Sequence, residues 1–330
     1  MFYFLPREAL KNWLSEISKV HEVFVPVSPS GFGPYEGKLY LEKKTKLSAK
    51  EFFLPWREVI LKFEARPGAL PSPVFFEPVK ERIIFGVRPC DAKGLTLIEK
   101  VFGEDPFFQK RREKTILLGL LCKEPGRECF GWAMGVNPFA GEGLDALFLE
   151  QAEGYLVKLL SPKGEKLFKD QEAFEKVGEE AQNSFKKAEK EFLEKHPKAP
   201  ALEKLKEADL LKLYEADFWE GLALPCLNCG ICTFLCPTCY CFDVQDEVVG
   251  LEGERVRLPE ACMFELYSRH ASGHNPRRSP VARFRNRFMH KFKYFLDEYG
   301  EPLCVGCGRC NEECPAGINL WEVIRAMSTL

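Results

Sequence analysis

Cys226-Leu-Asn-Cys229-Gly-Ile-Cys232-Thr-Phe-Leu-Cys236-Pro237 and Cys304-Val-Gly-Cys307-Gly-Arg-Cys310-Asn-Glu-Glu-Cys314-Pro315 decide how this chain is read. Each spells C-x2-C-x2-C-x3-C-P, the bacterial ferredoxin run for a [4Fe–4S] cluster. Three thiolates at two-residue intervals wrap one face of a cubane, and Gly230, Gly306 and Gly308 let the backbone come close. The fourth cysteine, followed by proline, is turned toward the other cluster. A pair of runs therefore implies crossed ligation. Cys226, Cys229, Cys232 and Cys314 are expected on one cluster, and Cys304, Cys307, Cys310 and Cys236 on the other. Structural zinc needs four ligands and has no use for the trailing Cys-Pro. Disulfides need an oxidising compartment, and nothing at the N-terminus reads as a signal peptide.

Working outward, 330 residues suggest two domains with material for a real core. The formal net charge of −2 gives no global field toward nucleic acid or a membrane. No apolar run approaches the ~18 residues of a membrane span, so a soluble protein is expected. Eight of the 14 cysteines lie in the two runs. Cys90, Cys122 and Cys129 come early, and Cys239, Cys241 and Cys262 fall between the runs. So many thiols beside clusters indicate a reducing cytoplasm.

The expected fold class is α+β, in three parts. An N-terminal α/β domain spans 1–160, a helical connector 161–220, and a ferredoxin-like domain with two [4Fe–4S] clusters 221–330, carrying a long insertion at 242–302. Within 1–160 the pattern predicts a helix over 7–20, a strand over 21–27, a turn at 31–37, a short helix over 55–63 and a loop over 67–73. Residues 82–88 read as a buried strand, 89–91 as a turn, and 92–101 as a helix N-capped by Asp91. A second buried strand covers 115–122, and 144–158 reads as a hairpin. Strand, helix and strand make a βαβ unit, whose carboxyl edge would carry Cys90 and Cys122, with Cys129 seven residues further on. Two apolar stripes at helical spacing run through 164–220, broken at His196-Pro-Lys-Ala-Pro200.

The insertion is basic. Between Leu266 and Leu296 there are Arg269, Arg277, Arg278, Arg283, Arg285, Arg287, Lys291 and Lys293, and no acid. Phe284, Phe288, Phe292 and Phe295 interleave them. Aromatic and basic residues together can bind RNA. At this spacing the phenylalanines read instead as a buried helix face, and the cations as partners of cluster charge and of acidic protein surfaces.

Four passages together resemble one family. They are Gly86-Val-Arg-Pro-Cys90-Asp91, Cys236-Pro-Thr-Cys239-Tyr-Cys241, Arg269-His-Ala-Ser-Gly-His-Asn-Pro-Arg277 and Pro302-Leu-Cys304-Val-Gly-Cys307-Gly-Arg-Cys310. The family holds the iron–sulfur beta subunits of cytosolic NAD(P)-linked nickel–iron hydrogenases (sulfhydrogenases) and the corresponding iron–sulfur subunit of anaerobic sulfite reductase. The resemblance implies an electron-relay subunit between a catalytic subunit and a flavin-containing NAD(P)H oxidoreductase subunit, with no flavin in this chain. The catalytic partner would be a hydrogenase, a sulfite or sulfur reductase, or an enzyme of the heterodisulfide reductase type. Relatives tend to have Cys-Phe-Cys where this chain has Cys129-Phe-Gly131. Glycine there removes a ligand from a third iron–sulfur site at Cys90, Cys122 and Cys129. Asp91 offers an oxygen in its place, though it also suits a helix cap and is a hard donor for a soft site.

Two other classes compete with the relay. A self-contained iron–sulfur reductase would bind its own flavin or nicotinamide, yet no G-x-G-x-x-G follows a strand. A nucleic-acid enzyme would need carboxylates in metal-binding spacing, and none stands out. Cys239, Cys241 and Cys262 do not complete a further site by themselves and read as packing thiols beside Cys236.

Overall fold

The computed structural model describes residues 1–73, 81–169, 171–196 and 201–330. The chain forms two compact units. One comprises Met1–Lys50, Glu77–Lys198 and Val305–Cys307; the other comprises Glu51–Phe76, Ala199–Cys304 and Gly308–Leu330. In chain order the strands are β1 (Phe2–Pro6), β2 (Glu22–Pro26), β3 (Phe32–Pro34), β4 (Glu58–Glu64), β5 (Ser72–Pro73) and β6 (Arg82–Val87). They continue with β7 (Thr115–Leu120), β8 (Ala146–Glu150), β9 (Gly154–Leu159), β10 (Glu175–Val177), β11 (Phe242–Val249) and β12 (Glu252–Pro259). The fold is α+β, as the sequence implies.

The first unit is built on one sheet of order β10-β1-β9-β8-β7-β6-β2-β3. Its centre is parallel: β2 pairs β6, β6 pairs β7, and β7 pairs β8 in the same direction. Strands β6 and β7 are buried at every position, the pattern of parallel strands covered on both faces. Helices Pro89–Phe102 and Pro106–Glu113 make the crossover between them. On one face Trp13, Phe148, Phe168 and Phe174 gather, with the Trp13 and Phe174 rings edge to face at 4.9 Å between centroids.

Local readings hold where periodicity is strong. The helix Ala9–Ile17 buries Leu10, Trp13, Leu14 and Ile17, and β8 and β9 form the hairpin. Three differ. The helix after β6 begins at Pro89, so 89–91 is its first turn and not a separate one; its N-cap is Arg88, and Asp91 lies within its first turn. Proline needs no backbone donor at that position, which lets the helix start early. The stretch 31–37 contains the short strand β3, paired with β2. The stretch after 160 contributes β10, paired with β1, before the helix Glu179–Lys195. Beyond His196, the break at 196–200 lies outside the described residues.

The second unit has an antiparallel sheet of order β11-β12-β4-β5. The stretch 55–63, read as a short helix, instead leads into strand β4 (Glu58–Glu64). Glu, Leu and Lys favour a helix locally, but β12 supplies a ladder from Glu58↔Arg257 to Glu64↔Glu252. That pairing also buries Glu58 against Arg257, whose Nε donates to Glu58 Oε2 at 2.6 Å. The long insertion opens with the hairpin β11–β12 and continues into a rod. Helix Pro280–Met289, a π turn at His290–Tyr294 and helix Phe295–Tyr299 follow without a break. Phe284, Phe288, Phe292 and Phe295 are all buried on it, as their spacing predicts.

Candidate metal centres

The two cysteine runs fold alike. Gly230 and Gly308 have φ of 76° and 79°, each N-capping a single helical turn, Ile231–Phe234 and Arg309–Glu312. Only glycine takes this left-handed conformation without penalty, so C-x2-C-Gly swings the chain from loop into turn between the second and third cysteine. Asn228, at φ 53°, supports the same bend in the first run.

In the second unit, Cys226, Cys229 and Cys232 from the first run and Cys314 from the second line one cavity. Its walls are otherwise mostly apolar, with Ile231, Phe284, Phe288, Ile318 and Leu320 among them. Burial pushes the Cys226 thiol up. Ile318 N donates to Cys314 Sγ at 3.3 Å. Cys310 also borders this cavity. Soft sulfur donors around an apolar pocket suit an iron–sulfur group. Among the described residues, no three His, Cys, Asp or Glu side chains meet closely enough to hold a single metal ion.

Cys236 and Cys304 are buried in the second unit. Lys291 Nζ donates to Cys236 Sγ at 3.3 Å, to Thr238 Oγ1 at 3.0 Å and to Leu303 O at 2.9 Å. A hydrogen bond with Cys239, and then the charges of Lys291 and Arg287, hold the Cys236 thiol well below its ordinary range despite burial. Burial alone would discharge Lys291, but the Cys236 and Cys239 sulfurs outweigh it and raise its pKa. One helical turn earlier, Arg287 donates to Cys232 O at 2.8 Å, Thr233 Oγ1 at 3.2 Å and Cys239 Sγ at 3.4 Å. Cys307, three residues after Cys304, belongs to the first unit with Val305 and Gly306.

The thiols between the runs fall into pairs. Cys239 sits on Cys236, and Cys241 on Cys262. The hairpin register sets the second pair: Phe242 faces Pro259, and Glu260 N donates to Cys241 O at 2.9 Å. Hydrogen bonds from Cys262 and Tyr267 bring the Cys241 thiol down to about 6, while the Cys262 thiol is pushed up.

In the first unit, Cys90, Cys122 and Cys129 line a single cavity at the carboxyl edge of β6 and β7, and Cys307 borders it too. Arg88, buried, fixes this edge by donating to Leu120 O, Leu121 O, Leu41 O and Lys43 O. Cys129 Sγ donates to Cys307 O at 3.3 Å and receives Lys44 Nζ at 3.4 Å. Asp91 is buried, with Oδ1 3.8 Å from Cys90 Sγ, but it does not line the cavity. Sequence reasoning missed the approach of Cys307 to this cavity, which no local spacing signals. It also treated the basic stretch as a whole; the i, i+4 spacing of Arg287 and Lys291 beside the phenylalanine stripe was the available sign.

A family model for a 4Fe-4S dicluster domain matches residues 225–318. No solved structure matches the chain. Over 334 residues the chain is 33% identical to sulfhydrogenase 2 subunit beta of Pyrococcus furiosus, spanning 97% of this chain and 96% of that protein. The likeness thus runs through both units and not the cysteine runs alone. With nearly the whole length matched and a dicluster domain at its C-terminal end, this chain belongs to the family of sulfhydrogenase beta subunits.

Proposed function

We propose that this chain is the electron-relay subunit of a multi-subunit sulfhydrogenase-type oxidoreductase. It would carry two [4Fe–4S] clusters, one on Cys226, Cys229, Cys232 and Cys314 and the other on Cys304, Cys307, Cys310 and Cys236. Such clusters supply one-electron carriage at low potential. The observation that carries the reading is the cavity shared by three thiols of one run and the fourth of the other. With all ligands supplied by the chain there is no open coordination position for a substrate, which suits transfer better than bond chemistry. The partners would be a flavin-containing NAD(P)H oxidoreductase subunit on one side and a catalytic redox subunit on the other. We further read Cys90, Cys122 and Cys129 as ligands of a third cluster; Asp91, which the sequence offers as an oxygen donor, does not line their cavity and takes no part in it. Their support is the common cavity of the three thiols at the sheet edge. Cys239, Cys241 and Cys262 take the part of thiols that pack beside the ligands. Among the described residues no helix is long and apolar enough to cross a membrane.

The test is anaerobic purification of the chain alone and with whatever subunits accompany it. Electron resonance should show two interacting clusters, with Cys314→Ser disturbing the same one as Cys226→Ser. The isolated chain should contain no flavin and should not oxidise NAD(P)H, gaining that ability only in the complex. Stoichiometric flavin with NAD(P)H turnover in the isolated chain would establish a self-contained reductase instead.

A further inference from the structure

Four cations on the rod 280–299 are buried: Arg283, Arg287, Lys291 and Lys293. Two serve the fold. Arg283 donates to Met263 O, Arg277 O and Arg278 O, and Lys293 donates to Leu205 O and Lys206 O while pairing with Asp297 at 3.0 Å. The other two point to the cysteine loops. Among the described residues neither Arg287 nor Lys291 has a carboxylate within ion-pair distance. Burying an ammonium or a guanidinium without a counter-charge costs several kcal/mol. Here the negative partner in reach is cysteine sulfur.

Resting on the relay reading above, we propose that Lys291 and Arg287 are positioning residues that set the two cluster potentials separately. Lys291 acts on the cluster ligated by Cys236, and Arg287 on the cluster in the Cys226–Cys314 cavity. All three Lys291 donors are engaged, one on the ligand sulfur itself and the others on Thr238 and Leu303 O, so the ammonium cannot swing away. Arg287 lines the other cavity and reaches Cys232 through its carbonyl. Reduction adds one negative charge to a cluster. A fixed cation in a dry surround favours that reduced form, more strongly through a direct hydrogen bond to a ligand sulfur than through a carbonyl dipole. Residues 287 and 291 lie one turn apart on the same face of the rod, so a single element can address both loops. The π turn begins at His290, and such turns recur at functional sites.

The experiment is anaerobic redox titration of the full chain, followed by electron resonance, for wild type and four variants. Lys291→Met should lower one midpoint potential by a tenfold or greater change in its reduction equilibrium, about 59 mV for a one-electron couple, and leave the other in place. Arg287→Gln should lower the other potential by less. Lys291→Arg and Arg287→Lys keep the charge and should restore most of the shift. Unchanged potentials in cluster-replete variants, or equal shifts of both clusters from either variant, would overturn the assignment. Should a variant fail to assemble, lysine labelled with ¹⁵N at Nζ in the wild-type chain gives a second measure. A nuclear coupling to one reduced cluster is expected, and its absence counts against the proposal. Cluster content of the wild type tests the relay reading independently of these shifts.

Discussion

Gly306 lies between Cys304 and Cys307 with φ 58°, and Phe130 N donates to its carbonyl at 2.8 Å. A Cβ at this position would fall 2.6 Å from Gly131 N and from the Phe130 carbonyl carbon, both backbone atoms that cannot step aside. Gly131 is also close-set, its Cβ position 3.1 Å from Val305 O. A side chain at 131 would therefore need Val305 to give by a few tenths of an ångström. We expect Gly306→Ala to destabilise the chain by more than ~2 kcal/mol, combining left-handed strain with a backbone clash. Gly317→Ala is the comparison: φ is 66° but nothing lies within 4 Å, so strain alone should cost about 1 kcal/mol. Denaturant titration under anaerobic conditions reads both, and equal losses would mean the close approach is unimportant. At this scale the sequence was most legible. The C-x2-C-x2-C-x3-C spacing is dictated by bond geometry that no tertiary context can alter. Asp91 was less so, because an acid beside a helix start looks like a cap until the proline that begins the helix is counted.

Elements were legible in proportion to how local their support is. Strands β6 and β7 and the rod from 280 to 299 announce themselves through apolar run and stripe. Strand β4 does not, since the residues that make it a strand sit in β12, far along the chain. The rod also carries a pH response that its sequence only hints at. His290 Nε2 lies 3.1 Å from Tyr240 Oη, and burial, then the charges of Lys291, Arg277 and Arg287, bring its pKa down to about 4 from 6.5. Between those values the unfolded chain binds a proton that the folded chain refuses, so stability rises with pH and is lost as pH falls through this window. From pH 7 to pH 5 this one group should remove up to about 2 kcal/mol. His290→Gln keeps a hydrogen-bonding partner for Tyr240 without the titration. Unfolding free energies of the two proteins should therefore be similar at pH 7, with the wild type falling below the variant toward pH 5, and parallel curves would exclude His290 as the source.

The whole molecule was least legible, because both units are assembled from separated stretches. Residues 51–76 leave the first unit's stretch of chain to join the second, and Val305–Cys307 returns to the first from within the last cysteine run. A reading in chain order, with borders at 160 and 220, cannot see such returns; contact between distant residues leaves no periodicity to detect. This has a direct bearing on the third centre. A fragment ending near residue 220 would lack Val305–Cys307, which lines the cavity of Cys90, Cys122 and Cys129, and would strip β4 of its partner β12. The site must be tested in the full chain. Three clusters predict about twelve irons per chain, falling to about eight in Cys90→Ala or Cys122→Ala while the signals of the two ferredoxin-type clusters persist. Asp91→Asn should leave that third signal in place, since Asp91 does not line the cavity. A wild-type chain with about eight irons, unchanged by either cysteine substitution, would leave these thiols as packing at the edge of the sheet.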